Sequence, residues 1–258
     1  AMKKILPSLF ILTSFLFSKG YSQCIPDANF RDAITNFNGC PTCLDINGCL
    51  TADAQNVTEL LLNGQEIADI TGVEGFTNLE SLICTNNLLT FVPPLPDSLK
   101  KFYCSDNFIT SISSAVLPPY LQELKCDDNL LSQLPVMPNS LNLLFCSGNN
   151  LTSLPVLPQS LENLTCNDNF LTQLPPLPSA LTSLHCINNQ ITSLPELPEM
   201  LEKLYCAQNP ITALPELPAT LNVLDISYTT ISCLPELPYD ITFFDFSNSL
   251  ITCLPNLP

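Results

Sequence analysis

From Leu79 onward the chain repeats itself every 20 residues. Leu141 to Ser160 reads LNLLFCSGNNLTSLPVLPQS, Leu161 to Ala180 reads LENLTCNDNFLTQLPPLPSA, and Leu181 to Met200 reads LTSLHCINNQITSLPELPEM. The consensus is LxxLxCxxNxLTxLPxLPxS, with units starting at Leu79, Leu99, Leu121, Leu141, Leu161, Leu181, Leu201, Leu221 and Ile241. The unit from Leu99 to Tyr120 is two residues longer, and an earlier 22-residue variant, VTELLLNGQEIADITGVEGFTN, runs from Val57 to Asn78. These make ten units over 57–258, the last incomplete at Pro258. No single unit of this size buries its own apolar face, so the pattern demands stacked coils that bury it between neighbours, with capped ends.

Each repeated residue type has a physical task. Strand side chains alternate between faces, so the Leu at repeat position 4 and the Cys at position 6 point inward while positions 3, 5 and 7 point outward. The Asn at position 9 recurs as Asn87, Asn107, Asn129, Asn149, Asn169, Asn189 and Asn209. It falls where the chain leaves the strand and backbone groups lose their ladder partners. An amide side chain donates and accepts, so a stacked row of them can serve successive turns. The chain has 24 prolines, most of them in LPxLP segments. Proline fixes φ near −65° and has no N–H, which favours an extended, polyproline-like return over a helix. A period of 20 with LxxLxL and a following Asn is that of the leucine-rich repeat. The expected fold is a repeat solenoid, a leucine-rich-repeat horseshoe with a short parallel β-sheet on its concave face, an extended convex side and a small helical N-terminal cap.

The two ends read differently. Lys3 and Lys4, the apolar run Ile5 to Phe17, and the small residues Gly20 and Ser22 form a secretory signal over 1–22, cleaved after Ser22. The apolar run is too short for a bilayer span, which needs ~20 residues. Residues 23–56 form a cap in which Ile25 to Phe37 is expected to be an amphipathic helix placing Phe30, Ala33, Ile34 and Phe37 on the first coil. Cys24, Cys40, Cys43 and Cys49 are candidates for two disulfides, with three pairings open. Cys40 and Cys43 also have zinc-like spacing, and Asp45, Asn47 and Asp53 loosely resemble a calcium loop; the second zinc ligand pair and the calcium-loop spacing are both missing. Near the other end, Ile226 and Phe246 replace the inward Cys, Thr229 and Ser249 replace the Asn, and Cys233 and Cys253 share one position in adjacent units as a third disulfide candidate. Because an open apolar end is unfavourable, further chain is expected after Pro258.

Seven cysteines remain, all at position 6: Cys84, Cys104, Cys126, Cys146, Cys166, Cys186 and Cys206. Strands ~4.8 Å apart do not bring parallel Cβ atoms to the ~3.8 Å a disulfide wants, so these read as buried free thiols acting as small hydrophobes. The whole chain has net charge −16; loss of Lys3, Lys4 and Lys19 with the signal leaves 5 basic and 24 acidic residues, net −19. Such a chain repels nucleic acid and anionic membrane surfaces. The sequence shows no phosphate loop, Ser-His-Asp arrangement or histidine metal cluster, and no catalytic residue, metal or cofactor is assigned.

What varies from unit to unit is the outward strand surface. Packing does not account for aromatic residues at exposed positions, and such residues are typical of interaction hot spots. The candidate ligand-binding residues there are Lys101, Tyr103, Lys125, Leu143, Phe145, His185, Lys203, Tyr205, Asp225 and Phe243. Apart from Arg31, every basic residue after the signal (Lys100, Lys101, Lys125, Lys203) lies on or near this face.

Leu79 to Pro258 resembles the short bacterial leucine-rich repeats with LPxLP returns found in injected effector proteins. The opening IPDANFRDAI and the stretch TADAQNVTELLLNGQEIADITGVEGFTNLESLICTNNLLT are similar to secreted repeat proteins of the Bacteroidetes type, in which such arrays often precede a sorting domain for type IX secretion. The resemblance implies a non-enzymatic, secreted or cell-surface module that binds protein or mediates adhesion, with host or bacterial surface proteins as partners. Two alternatives stand beside it. One is a glycan-binding surface protein. The other is a substrate-recruiting region whose catalytic domain, such as the ubiquitin ligase of some effectors, lies beyond Pro258.

Overall fold

The computed structural model describes residues 23–113 and 117–254. The expected signal segment 1–22 and the last four residues of the tenth unit lie outside the described residues. Ten strands of three residues each, one per unit, pair in parallel and in strict chain order. They are β1 Glu59–Leu61, β2 Ser81–Ile83, β3 Lys101–Tyr103, β4 Glu123–Lys125, β5 Leu143–Phe145, β6 Asn163–Thr165, β7 Ser183–His185, β8 Lys203–Tyr205, β9 Val223–Asp225 and β10 Phe243–Asp245. The register follows the repeat without slip: Leu144 pairs with Leu164, Leu164 with Leu184 and Leu184 with Leu204. A one-residue slip would turn every inward leucine outward, so the hydrophobic pattern holds the pairing.

The core is a continuous column through the coils. Within the unit starting at Leu161, the residues Leu161, Leu164, Cys166 and Leu171 are all fully buried. Each coil ends in a tight turn after the second proline, as in Leu181 N–H donating to Pro178 O at 3.1 Å. From Leu79 to Leu254 no described residue is helical, so the return side is extended. The first unit lacks LPxLP and instead forms a 3₁₀ turn at Val73–Gly75 followed by the buried Phe76. Among the described residues no helix is long and apolar enough to cross a membrane.

The cap covers the first coil. Helix α1 spans Ala28–Asp32, and Asp27 caps it by accepting from Phe30 N–H at 2.9 Å. The other carboxylate oxygen of Asp27 accepts from Ala68 N–H and Asp69 N–H in the first coil. Glycine lets the two surfaces meet closely: a Cβ at Gly72 would lie 2.9 Å from Ile25, and one at Gly75 would lie 2.2 Å from Leu50. The expected single helix to Phe37 is corrected. After α1 the chain widens into a π turn over Ala33–Phe37, with Asn38 N–H bonded to Ala33 O five residues back. That extra residue per turn rotates Phe37 off the face that holds Phe30, Ala33 and Ile34, and Phe37 is 68% exposed. Phe246 is a second departure. Although it stands at an inward position, it is exposed, because β10 is the edge strand and no described coil packs beyond it.

Candidate binding surface

The surface rests on three internal rows that hold the coils in place. The first is the asparagine row. Asn169 Nδ2 donates to Cys146 O of the preceding coil and to Cys166 O and Asn167 O of its own, while its Oδ1 accepts from Leu151 N–H of the preceding coil. Asn107, Asn129, Asn149, Asn189 and Asn209 make the same set of donations, and Asn87 begins the row on Leu62 O. Thr229 has a single hydroxyl proton, which goes to Ile226 O of its own coil, so the row loses its reach between coils there.

The second row is the seven cysteines, all buried and free. Cys84, Cys126, Cys146 and Cys166 lie 3.4–3.5 Å from the strand carbonyl of the next coil, to which the thiol donates. Burial pushes the Cys84 and Cys186 thiols up to about 12 and the others upward as well. They are protonated and lack the thiolate that redox or metal chemistry requires. The third row was not legible as such in the sequence, although the residue recurs there. In four units a hydroxyl at position 20 ties the end of the unit to the carbonyl of its own first residue, with Ser98 donating to Leu79 O, Ser140 to Leu121 O, Ser160 to Leu141 O and Thr220 to Leu201 O.

On this frame the outward strand residues form two groups. In the first, Lys125 Nζ sits 4.4 Å from the Tyr103 ring centre and 5.1 Å from that of Phe145, bridging three successive coils. The Tyr103 hydroxyl donates to Glu123, which also pairs with Lys101 at 3.0 Å. Burial, and then the Glu123 carboxylate, push the Tyr103 phenol up to about 12. Leu143 lies beside the group in β5, half-buried. In the second group the His185 ring stacks on Tyr205 at 4.3 Å between centres, and its Nε2 lies 3.1 Å from Ser183 Oγ. Desolvation, and then the nearby Lys203, depress the His185 pKa and keep the imidazole neutral. Asp225 follows in β9; its carboxylate accepts from Ser227 N–H and Ser227 Oγ. Phe243 lies in the edge strand and is 47% exposed. Thr165 and Asn163 separate the two groups.

Tyr103, Phe145 and Tyr205, which the sequence places on the exposed face, are only partly exposed. Each is half-buried because a neighbouring strand's residue lies against its ring. The aromatic side chains of this face thus pack on one another and on Lys125 rather than standing singly in solvent.

In the cap, disulfides join Cys24 to Cys49 and Cys40 to Cys43; a third joins Cys233 to Cys253 across adjacent coils. The Cys40 and Cys43 sulfurs that have zinc-like spacing are thus bonded to each other. Asp45 turns one carboxylate oxygen to the N–H groups of Asn47 and Cys49, and those bonds hold its pKa below the usual value. Among the described residues no group of three or more His, Cys, Asp or Glu is placed to hold a metal ion.

No protein-family model and no curated protein sequence matches the chain. Solved structures do. The chain is similar to YopM, a leucine-rich effector protein from Yersinia pestis, at 32% identity over 70% of this chain and 58% of that one, with a TM-score of 0.61. It is similar to the functional domain of InlJ from Listeria monocytogenes, which includes a cysteine ladder, at 29% identity over 90% of this chain and 54% of that one, with a TM-score of 0.76. A Shigella effector leucine-rich-repeat domain matches at 29% identity over 74% of this chain and 81% of that one, with a TM-score of 0.57. The chain spans little more than half the length of the first two. Sequence period, coil geometry and these likenesses agree: the chain has the leucine-rich-repeat fold.

Proposed function

We propose that the chain is an extracellular or cell-surface module that recognises a protein through the outward side chains of its sheet. The observation that carries this reading is the contrast between fixed and variable positions on the same strands. Inward residues repeat and are locked by the asparagine, cysteine and hydroxyl rows. The outward residues differ from coil to coil and are assembled into the Tyr103–Lys125–Phe145 and His185–Tyr205 groups. Specificity resides in such side chains rather than in the fold. Three disulfides and the signal-like segment over 1–22 support export, since disulfides persist in oxidising compartments. We keep the organisation read from the sequence: a signal over 1–22, a cap over 23–56 and repeats over 57–258, with the opening segment supporting a place among secreted repeat proteins of the Bacteroidetes type.

The test is a pull-down from host and bacterial surface extracts, comparing the native chain with a Tyr103→Ala/Phe145→Ala/Tyr205→Ala variant that retains the native circular dichroism spectrum. A partner held by the native chain should be lost by the variant, with affinity falling roughly 1,000-fold if two hot-spot aromatics at ~2 kcal/mol each are removed. Equal retention by both would move recognition off this face, and a glycan array run in parallel identifies a carbohydrate ligand.

A further inference from the structure

A second outward surface lies on the edge of the coils beside the asparagine row. Position 10 follows the buried Asn, and at this position Leu88, Phe108, Leu130 and Phe170 are 46%, 51%, 47% and 49% exposed. Their backbone is held rigidly: Phe108 N–H donates to Leu89 O, Leu130 N–H to Ile109 O and Phe170 N–H to Leu151 O, each to the preceding coil. The four side chains form an apolar column over five successive coils, interrupted by Asn150.

Two residues earlier, position 8 carries Asp106, Asp128 and Asp168, all exposed and all with left-handed backbone. Gly148 occupies the same place between Asp128 and Asp168. A Cβ there would lie 2.2 Å from Asp128 Oδ1, so the Asp128 carboxylate leans into the space the glycine leaves. The carboxylates sense one another: after partial burial, repulsion from Asp106 and Asp168 raises the Asp128 pKa. The ion pairs found among the described residues, Lys100–Glu80 and Lys101–Glu123, involve none of them. This edge therefore presents an apolar column flanked by a column of uncompensated negative charge.

The spacing selects an occupant. Coils stack ~4.8 Å apart, and a helix advances ~5.4 Å per turn, so a helix laid along the column sets about one turn against each coil. An extended strand places same-face side chains ~6.6 Å apart and falls out of step after two coils. From Leu88 to Phe170 the column runs ~19 Å, about 13 residues of helix. We infer that this edge docks a basic amphipathic helix of a protein partner, its apolar stripe on Leu88, Phe108, Leu130 and Phe170 and its Lys/Arg flank on Asp106, Asp128 and Asp168. The site is distinct from the sheet face and does not depend on that reading.

The test uses a fluorescein-labelled Leu/Lys amphipathic helical peptide of about 14 residues, titrated with the chain by anisotropy at ~0.15 M salt. A peptide of the same composition with its leucines scattered is the control. Phe108→Ser/Phe170→Ser and Asp106→Asn/Asp128→Asn/Asp168→Asn should each weaken binding by about tenfold or more, equivalent to ~1.4 kcal/mol. Both variants change exposed positions, and circular dichroism checks their fold. Tyr103→Ala/Phe145→Ala/Tyr205→Ala should leave this affinity unchanged, which separates the edge from the sheet face. The proposal fails if the scattered peptide binds as tightly, since net charge alone would then explain capture. It also fails if the phenylalanine variant binds like the native chain, or if the helical probe shows no saturable binding.

Discussion

At the scale of single residues, the position-9 asparagine carries the most structure per atom. Asn169 satisfies carbonyls of two coils and one N–H of the coil before it with a single buried amide. Asn169→Ala leaves Leu151 N–H unpaired in the interior, at ~1–3 kcal/mol for an orphaned group, and takes from Cys146 O one of its two donors, Asn149 Nδ2 remaining. We expect a loss of about 2 kcal/mol in urea unfolding. Ser249→Ala, which removes one partly solvated bond in the edge coil, should cost under ~1 kcal/mol. Similar losses at the two sites would show that the row does not act as a bridge between coils. The sequence announces this residue by its recurrence and its place after the strand. It does not announce which carbonyls the amide meets, because those belong to residues 2, 3 and 23 positions away, brought together only by coiling.

At the scale of elements, the cap and the first coil are joined by a single side chain. Asp27 caps α1 with one carboxylate oxygen and takes two N–H groups of the first coil with the other. Asp27→Ala should therefore cost more than the ~1 kcal/mol of an ordinary N-cap, about 2 kcal/mol in all once the two further bonds are counted. Hydrogen exchange should locate the damage: amide protection over Phe30 to Ile34 falls while that of the coil from Leu161 to Ala180 stays native, as expected when local opening is confined to one cooperative unit. Uniform loss across the chain would mean that cap and coils unfold as one unit. The cap helix also shows where periodicity misleads. Phe30 and Phe37 are seven apart and share a face in an α-helix, yet the π turn from Ala33 separates them, and no hydrophobic pattern encodes that extra residue.

At the scale of the whole molecule, the coils that carry the asparagine row, through Asn209, repeat much the same contacts with their neighbours, so stability there is a sum of similar local and nearest-neighbour contributions. Deleting residues 161–180 removes one complete unit and leaves Leu181 following Ser160 in register. The shortened chain should keep its circular dichroism spectrum per residue and unfold cooperatively, with Tm lower by a few degrees, the shift that ~1 kcal/mol produces in a chain of this size. A non-cooperative melt would show that the coils are not interchangeable. The same deletion places His185 one coil from Phe145 instead of two, so a partner of the sheet face should be lost while the fold persists.

The sequence by itself determined the coil: a 20-residue period, inward Leu and Cys, a buried Asn and proline-rich returns leave a stacked parallel sheet as the arrangement that buries every apolar face. It also singled out the variable outward positions, because only residues free of packing duty can vary between units. The tertiary structure alone decided how those side chains combine. Lys125 lies between two rings, His185 lies flat on Tyr205, and leucines and phenylalanines at position 10 line up beside three aspartates, each through contacts between residues about 20 apart. Stacking coils at strand spacing turns a sequence separation of one period into a distance of about 5 Å, and that conversion is what makes a surface out of a list of outward residues.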